Sequence, residues 1–204
     1  AKMLCNAYNT AFPNRPRLCL SRDSQLLYGT WVIGNDYRNK TRFHGAYPAG
    51  LLDRYSTMLG GPSTETNSGV PTVLHLFSGS LPRSDRYLRF DCRTDENRAA
   101  VCGDATQLSQ LLLPDHFSVI YADPPYSADD AAIYGNESLV DRGAVLRECA
   151  LVLRLGGTLF WLDCVSWQGA GVPIPNALQL IGIIALSRST NHRFRLVSVF
   201  SRVH

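Results

Sequence analysis

The sequence VIYADPPY, residues 119–126, decides the fold of this chain. Its apolar residues end a run, 117–122, that is typical of a strand buried on both faces of a parallel sheet. Two consecutive prolines then end the strand, because proline has no N–H for a sheet ladder and keeps the backbone extended. The stretch therefore predicts a buried strand whose carboxyl end leads into a rigid turn that begins at Asp123.

Similar runs alternate with helical or loop stretches on both sides of this strand. The predicted strands cover residues 72–77, 87–91, 100–102, 117–122 and 158–162. A helix before the last of them is expected to begin near Ser138 and Asp141, which have capping-box spacing, and to stop at Gly156 and Gly157. The alternation predicts a doubly wound, Rossmann-like α/β domain with a mostly parallel sheet, which binds ligands at the carboxyl ends of its strands.

The two ends of the chain add further elements to this sheet. Residues 178–186 and 194–200 are two β-rich runs that predict a C-terminal antiparallel hairpin. Residues 26–33, followed by a turn at 34–36, predict another hairpin or an edge strand. A helix over 49–59 and a turn-rich linker over 60–69 follow. We divide the chain into an N-terminal extension, 1–45, and a main domain, 46–204.

Three other groups of residues follow predicted strands at the same edge as Asp123. The small-residue turn Phe77-Ser78-Gly79-Ser80 can bring backbone N–H groups close to a ligand, or it can be plain chain punctuation. Asp91 can accept hydrogen bonds from both hydroxyls of a ribose, or it can be a solvated surface acid. Gly103 and Asp104 can face an adenine amino group, or Asp104 can simply cap the next helix.

The tetrapeptide Asp123-Pro124-Pro125-Tyr126 has the groups needed to activate an amine. An exocyclic amine of a nucleobase is conjugated with its ring and is a poor nucleophile. The Asp123 carboxylate and the Pro124 carbonyl can both accept hydrogen bonds from one such amine, which favours its pyramidal, reactive form. Tyr126 can stack on a base that has left a duplex. The alternative is a proline-terminated strand with an incidental Asp.

Charge is unevenly distributed, although the net charge is only +3. Residues 1–54 contain eight Lys or Arg and three acids, and residues 187–204 contain four Arg and no acid. Such basic flanks are typical of a polyanion contact, although ordinary surface variation is the alternative. At the tip of the C-terminal hairpin we expect phosphate contacts from Asn191, His192, Arg193 and Arg195. A solvated hairpin tip is the alternative there.

The cysteines and the hydropathy bear on whether the chain binds a metal, crosses a membrane or carries a signal peptide. The six cysteines form no C-x-x-C pair and are expected as small core residues, with a disulfide or a zinc site as the alternative. The motifs themselves imply no metal. No segment approaches the roughly 18 apolar residues of a membrane span, and residues 1–10 lack the pattern of a signal peptide. We therefore expect no membrane partner and a cytoplasmic location.

Residues 43–204 resemble the amino-methyltransferase group of class I AdoMet-dependent methyltransferases, which includes DNA adenine-N6 methyltransferases. The AdoMet-binding turn of that family, F-x-G-S-G, is matched by Phe77, Gly79 and Ser80, and its catalytic tetrapeptide is matched by residues 123–126. A further pocket element of the family, a proline before a Leu-x-x-Arg helix, is similar to residues 47–54. The order of these elements resembles the gamma arrangement. Two positions depart from the pattern: His75, where Asp is common, and Leu81, where a second glycine is common.

The resemblance implies a Rossmann-like class I methyltransferase fold and S-adenosyl-L-methionine as the cofactor. It implies that the cofactor is held by Tyr47, Pro48, His75, Phe77, Ser78, Gly79, Ser80, Asp91, Gly103 and Asp104. The expected reaction is methyl transfer to an exocyclic amine of a nucleic-acid base, with adenine N6 in DNA as the first choice. Recognition of the nucleic-acid site to be methylated is then expected from the N-terminal extension, a partner subunit or a dimer.

Two alternatives remain open. A ribosomal or transfer RNA base methyltransferase, acting on guanine N2 or adenine N6, has a similar compact fold and a related tetrapeptide. A catalytically silent methyltransferase fold that binds nucleic acid or a partner is the alternative of another class, and His75 and Leu81 favour it. Cytosine N4 is disfavoured, because that branch of the family usually has Ser in place of Asp123.

Overall fold

The computed structural model describes residues 1–33, 47–48, 50–61, 66–67, 69–92, 100–133, 138–167, 171–188 and 194–204. The helices are α1 (Lys2–Ala11), α2 (Leu51–Met58), α3 (Leu108–Leu111), α4 (Ala128–Ile133) and α5 (Arg142–Val152). The strands are β1 (Cys19–Leu20), β2 (Leu27–Ile33), β3 (Thr66–Asn67), β4 (Val70–Pro71), β5 (Val73–Leu76), β6 (Leu88–Asp91), β7 (Val101–Cys102), β8 (Phe117–Ala122), β9 (Leu153–Asp163), β10 (Leu178–Arg188) and β11 (Phe194–Arg202). A 3₁₀ turn, Ala105–Gln107, leads into α3.

Nine of the described strands form one sheet in the order β1-β2-β10-β11-β9-β8-β5-β6-β7, and β3 pairs with β4 separately. β5 pairs in parallel with β6 and β8, β6 with β7, and β8 with β9. β11 is antiparallel to both β9 and β10, so β10 runs in the same direction as β9. The predicted fold class is confirmed: a doubly wound α/β sheet, mostly parallel, with a C-terminal antiparallel hairpin.

Two apolar cores lie on the two faces of this sheet. One core contains residues of α1 and α2, and the other contains residues of α5. Successive residues of β5, Val73 and Leu74, belong to different cores, and so do Val119 and Ile120 of β8. The side chains alternate between the two faces of a strand, so both strands are buried on both sides, as their continuous apolar runs predict.

Residues 1–33 contribute a helix and two strands to the same structure. β2 pairs in parallel with β10 from Leu27 to Ile33 and antiparallel with the short β1, so it lies inside the sheet and is not an edge strand. The helix α1, which the sequence does not predict, buries Leu4, Cys5 and Tyr8 against the core of the first face. The predicted turn at 34–36 and the proposed boundary at residue 45 lie outside the described residues, and the boundary stays a prediction.

The ends of α5 differ from those predicted. Asp141, not Ser138, is the N-cap, because its side chain accepts a hydrogen bond from the Ala144 N–H at 2.9 Å. The helix ends at Val152 and continues directly into β9, so Gly156 and Gly157 lie within a strand. The pairing of β8 with β9 is irregular there, and Gly156 has a φ of 74°, which a residue with a side chain rarely adopts. The glycines therefore form a bulge and do not end the helix.

The expectation that all six cysteines are core residues is wrong for four of them. Cys5 and Cys149 are buried, whereas the others are exposed: Cys19, Cys92, Cys102 and Cys164. The exposed ones lie at strand ends or on the short β1 and β7, where few neighbouring elements cover them. Among the described residues, no helix has the length and hydropathy required to cross a bilayer.

We expect Trp31→Ala to lower the free energy of unfolding by about 3–5 kcal/mol, because the side chain is fully buried between β2 and the helices of the first face. Tyr28→Ala is the matched control, since Tyr28 lies on the other face of the same strand and is 48% exposed. Its effect should stay below about 1 kcal/mol. Urea unfolding of both variants measures the difference. Equal losses would contradict the position of β2 within the sheet.

Candidate functional site

The carboxyl ends of β5, β6 and β8 meet at one edge of the sheet. Leu76 at the end of β5 lies opposite Ala122 of β8 on one side and Phe90 of β6 on the other. The turn that follows β5 is therefore adjacent both to Asp123 and to Asp91. Two residue groups that are about 45 positions apart in sequence become neighbours through strand pairing.

The turn at residues 77–80 has an unusual backbone conformation. Phe77 and Gly79 have φ values of 55° and 49°, and this left-handed conformation is uncommon for a residue with a side chain. The Ser78 N–H donates to the Phe90 carbonyl at 3.1 Å. The Ser78 hydroxyl is buried and has no hydrogen-bond partner among the described residues. A buried polar atom of this kind is usual where a ligand or water completes the site.

Asp91 is tied to the same turn by its side chain. One carboxylate oxygen, Oδ2, accepts a hydrogen bond from the Gly79 N–H at 2.9 Å, and the other contacts the Cys92 thiol at 3.6 Å. Asp91 is partly exposed. The carboxylate thus holds the turn and still reaches the edge of the sheet, a position from which it can meet a hydroxyl-bearing ligand.

Gly103 and Asp104 follow β7, one strand further along. The Gly103 N–H donates to the Asp91 carbonyl at 3.1 Å, and a side chain on Gly103 would collide with Leu111 at 2.4 Å. Asp104 is exposed and caps the 3₁₀ turn by accepting from the Thr106 N–H at 2.8 Å. The capping alternative is therefore observed for Asp104, and contact with an adenine amino group stays a prediction.

Tyr47 and Pro48 lie beside the turn, although they are about 30 residues away in sequence. Together with Ser80 and Leu81 they line a cleft of about 250 Å³. The nearby Arg54, part of the Leu-x-x-Arg element, points elsewhere: it donates to the Val32 carbonyl at 3.2 Å and to the Tyr8 hydroxyl at 3.4 Å. Arg54 is buried, which lowers its pKa, and it connects α2 to the N-terminal residues.

His75 lies below this edge within a cluster of aromatic rings. Its imidazole is 3% exposed and contacts Tyr47, Tyr87 and Tyr121. The Tyr47 hydroxyl lies 3.3 Å from its Nδ1 atom. Burial lowers the pKa of His75 to about 3, so the ring is neutral near pH 7. His75 can affect a ligand at the turn through Tyr47, and direct contact stays a prediction.

The predicted catalytic tetrapeptide follows β8 with Pro124 buried and Asp123 and Tyr126 partly buried. The Tyr126 hydroxyl donates a hydrogen bond to Oδ1 of Asp123. Burial and the adjacent Asp123 carboxylate raise the pKa of Tyr126 well above its usual value, while Arg195 opposes that rise. The phenol is therefore a neutral donor near pH 7.

Arg195 is at the same edge, near the start of β11. Its guanidinium carbon lies over the Tyr126 ring, 4.0 Å from the ring centroid. Leu196, the next residue, pairs with Asp163 at the end of β9, which explains how a residue of the C-terminal hairpin reaches the tetrapeptide. The other predicted nucleic-acid contacts, Asn191, His192 and Arg193, lie outside the described residues.

Sequence reasoning missed Asp163, the last residue of β9. Its buried carboxylate accepts from Arg142 at 2.6 and 3.2 Å, from the Trp161 indole at 3.1 Å and from the Cys164 N–H at 2.7 Å. The Cys164 thiol in turn contacts the Tyr126 carbonyl at 3.8 Å. An acid directly after an apolar strand, as at Asp91 and Asp123, is the signal that would have found it.

The described residues include no cluster of three or more His, Cys, Asp or Glu side chains that could hold a metal ion. The acids at this edge instead accept hydrogen bonds from neighbouring backbone and side-chain groups. The arrangement can bind a polar organic ligand at residues 77–80 and a second planar group at Tyr126.

Comparisons with protein-family models and with curated protein sequences find no match. Among solved structures, TrmN from Thermus thermophilus is similar over 65% of this chain and 45% of its own length, with 18% identity and a TM-score of 0.45. The aminoglycoside resistance methyltransferase NpmB1 matches 67% of this chain and 89% of its own, with 14% identity and a TM-score of 0.34. The antibiotic-resistance methyltransferase Kmr matches 66% and 89%, with 11% identity and a TM-score of 0.33. Sequence identities and TM-scores this low do not establish a common family.

The buried His75 should make stability depend on pH. In the unfolded chain its imidazole takes up a proton below about pH 6.5, whereas in the folded protein it resists protonation down to about pH 3. The free energy of unfolding should therefore fall as the pH falls from about 6.5, by up to about 1.4 kcal/mol per pH unit from this residue. Urea unfolding between pH 7 and 4 measures the slope. A His75→Asn variant with the same slope would contradict this explanation.

Proposed function

We propose that this chain transfers a methyl group from S-adenosyl-L-methionine to an exocyclic amine of a nucleic-acid base, with adenine N6 in DNA as the first candidate. The observation that carries the proposal is the adjacency of two motifs: the turn at residues 77–80 and the tetrapeptide at 123–126 follow paired parallel strands. Methyl transfer requires a cofactor site and an amine site side by side, because the reacting atoms must approach to about 3 Å.

The residues around the turn fit this cofactor. The Gly79 backbone and the Ser78 hydroxyl, which has no hydrogen-bond partner within the described part of the chain, provide polar groups at a tight turn. The cleft of Tyr47, Pro48 and Ser80 gives adjoining space. The partly exposed carboxylate of Asp91 suits a ribose, whose two hydroxyls both need acceptors. The cofactor supplies an electrophilic methyl group on a positively charged sulfur. Protein residues then have to orient the amine and exclude water.

Asp123 and the Pro124 carbonyl are proposed to orient the amine by accepting its two hydrogens. The proline pair limits backbone motion, so the two acceptors keep a fixed spacing. In the protein alone, the Tyr126 hydroxyl already donates to Asp123. The entering amine therefore competes with that hydroxyl or shares the carboxylate with it, while the Tyr126 ring provides a stacking surface.

The polyanion is proposed to meet the basic parts of the chain. Arg195 lies at the carboxyl edge of the sheet, near the tetrapeptide. Residues 187–204 have four Arg and no acid, so the side chains of this segment offer a phosphate backbone positive charge and no negative charge. Target choice is proposed to come from the N-terminal extension, a partner subunit or a dimer.

Incubation of the protein with labelled S-adenosyl-L-methionine and separate pools of DNA, ribosomal RNA and transfer RNA tests the substrate. We expect N6-methyladenine in the DNA pool, identified by mass spectrometry of the nucleosides. A methylated guanine or adenine only in an RNA pool would favour the RNA alternative. No methylated nucleoside, together with no binding of the cofactor in a titration, would favour the silent binding module.

Asp123→Ala should abolish methyl transfer and leave cofactor affinity nearly unchanged, because the carboxylate is proposed to contact the amine and not the cofactor. Asp129→Ala, which removes an exposed acid from α4, is the matched control and should retain activity. Rates with labelled cofactor, and cofactor titrations, measure both effects. An Asp123→Ala variant with full activity would rule out this orientation mechanism.

Asp91→Asn should weaken cofactor binding by about 1.5–3 kcal/mol, because a charged acceptor for ribose hydroxyls becomes neutral. The Asn oxygen can still accept from the Gly79 N–H, so the turn at 77–80 should keep its shape. Asp85→Asn, an exposed acid before β6, is the control. Calorimetric titration measures the dissociation constants. Equal dissociation constants for wild type and Asp91→Asn would mean that another residue contacts the ribose.

A further inference from the structure

In the protein alone, the groups proposed to meet the base are already in contact with other residues of the chain. The Asp123 carboxylate accepts from the Tyr126 hydroxyl, and one face of the Tyr126 ring is covered by the Arg195 guanidinium at 4.0 Å from its centroid. A base that stacks on that face needs the same space. The resting arrangement therefore excludes a base from this face until Arg195 moves.

Arg195 is held in place by contacts with the Tyr126 side chain and with the backbone of its own strand. Its Nη1 atom donates to the carbonyl of the preceding residue, Phe194, at 3.2 Å. Among the described residues, no carboxylate forms an ion pair with it. The guanidinium is planar and stacks on aromatic rings much as a base does. It can leave the ring if another group takes over its interactions.

A phosphate is the group that can do so. Guanidinium binds phosphate through paired, charge-assisted hydrogen bonds, which are stronger than its contact with an aromatic face. Arg195 is partly exposed and lies at the edge of the sheet where the tetrapeptide ends, so a nucleic-acid backbone that delivers a base to Tyr126 passes near it. One side chain can therefore contact either the ring or the phosphate.

We propose that Arg195 makes a phosphate a requirement for base entry: it covers Tyr126 in the unbound protein and leaves the ring when a backbone phosphate binds it. This inference rests on the proposed function. It makes Arg195 a specificity-determining residue. A nucleotide within a chain gains the phosphate contact when it displaces Arg195, whereas a free nucleoside has to displace it without compensation. The substrate class is then phosphate-linked nucleic acid, and free nucleosides are excluded.

The test compares two ligands that differ in phosphate. They are 2′-deoxyadenosine and a single-stranded pentanucleotide with one adenine among thymines. Both are titrated against wild type, Arg195→Ala, Arg195→Lys and the control Arg147→Ala. Arg147 is exposed on α5, outside both basic flanks, and its loss changes the net charge equally. Melting temperatures and cofactor titrations confirm that each variant folds.

For Arg195→Ala we expect opposite changes with the two ligands. Deoxyadenosine should bind about two- to thirty-fold more tightly, the range that corresponds to one lost cation–π contact. The pentanucleotide should bind more weakly at low salt, and the slope of log affinity against log salt should fall by roughly 0.7. Arg195→Lys should keep that slope, because the charge remains, and Arg147→Ala should match wild type.

Several results would overturn the proposal. Weaker binding of both ligands to Arg195→Ala would mean that Arg195 contacts the bound base and does not leave the Tyr126 ring. Unchanged or undetectable deoxyadenosine binding in that variant would mean that Arg195 does not block the ring. Failure of the proposed function is distinguishable, because the wild-type protein would then transfer no methyl group to any nucleic-acid pool, whatever the Arg195 variants bind.

Discussion

The rest of the molecule depends on one constraint, the parallel pairing of β5 with β8. In this pairing Leu76 lies opposite Ala122. Both strands are buried on both faces, so their backbone N–H and C=O groups have to bond to neighbouring strands. Because the pairing is parallel, each chain segment leaves its strand at the same edge. The turn after β5 and the proline pair after β8 therefore lie side by side because their strands are paired.

The surroundings of this edge limit motion in the site. The aromatic cluster of His75, Tyr47 and Tyr121 supports it from below, and its polar atoms remain neutral near pH 7 because they are buried. Asp163 joins the first turn of α5 to the end of β9 through Arg142. A buried carboxylate with four donors is costly to disrupt, so the segment that places Cys164 against Tyr126 has a well-defined position.

Several polar groups of the site are bonded to one another. Asp91 accepts from Gly79, Asp104 from Thr106 and Asp123 from Tyr126, and Arg195 covers the ring of Tyr126. Each contact involves at least one partly or fully exposed residue, so a ligand can reach the groups that form it. These contacts fix the positions of the acids at the edge of the sheet.

The sequence by itself determined the class of fold and the bounds of β8, because continuous apolar runs, prolines and strand spacing are local signals. It failed at α1, at both ends of α5 and at four cysteines, where burial depends on elements distant in sequence. Only the tertiary structure decided the position of β2 between β1 and β10, the direction of Arg54 toward the N-terminal residues and the roles of Asp163 and Arg195 at the site. The contacts of β2 with β10, of Arg54 with Val32 and of Arg195 with Tyr126 join residues that are 22 to 155 positions apart in the chain. Strand order, which no local pattern encodes, brings them together.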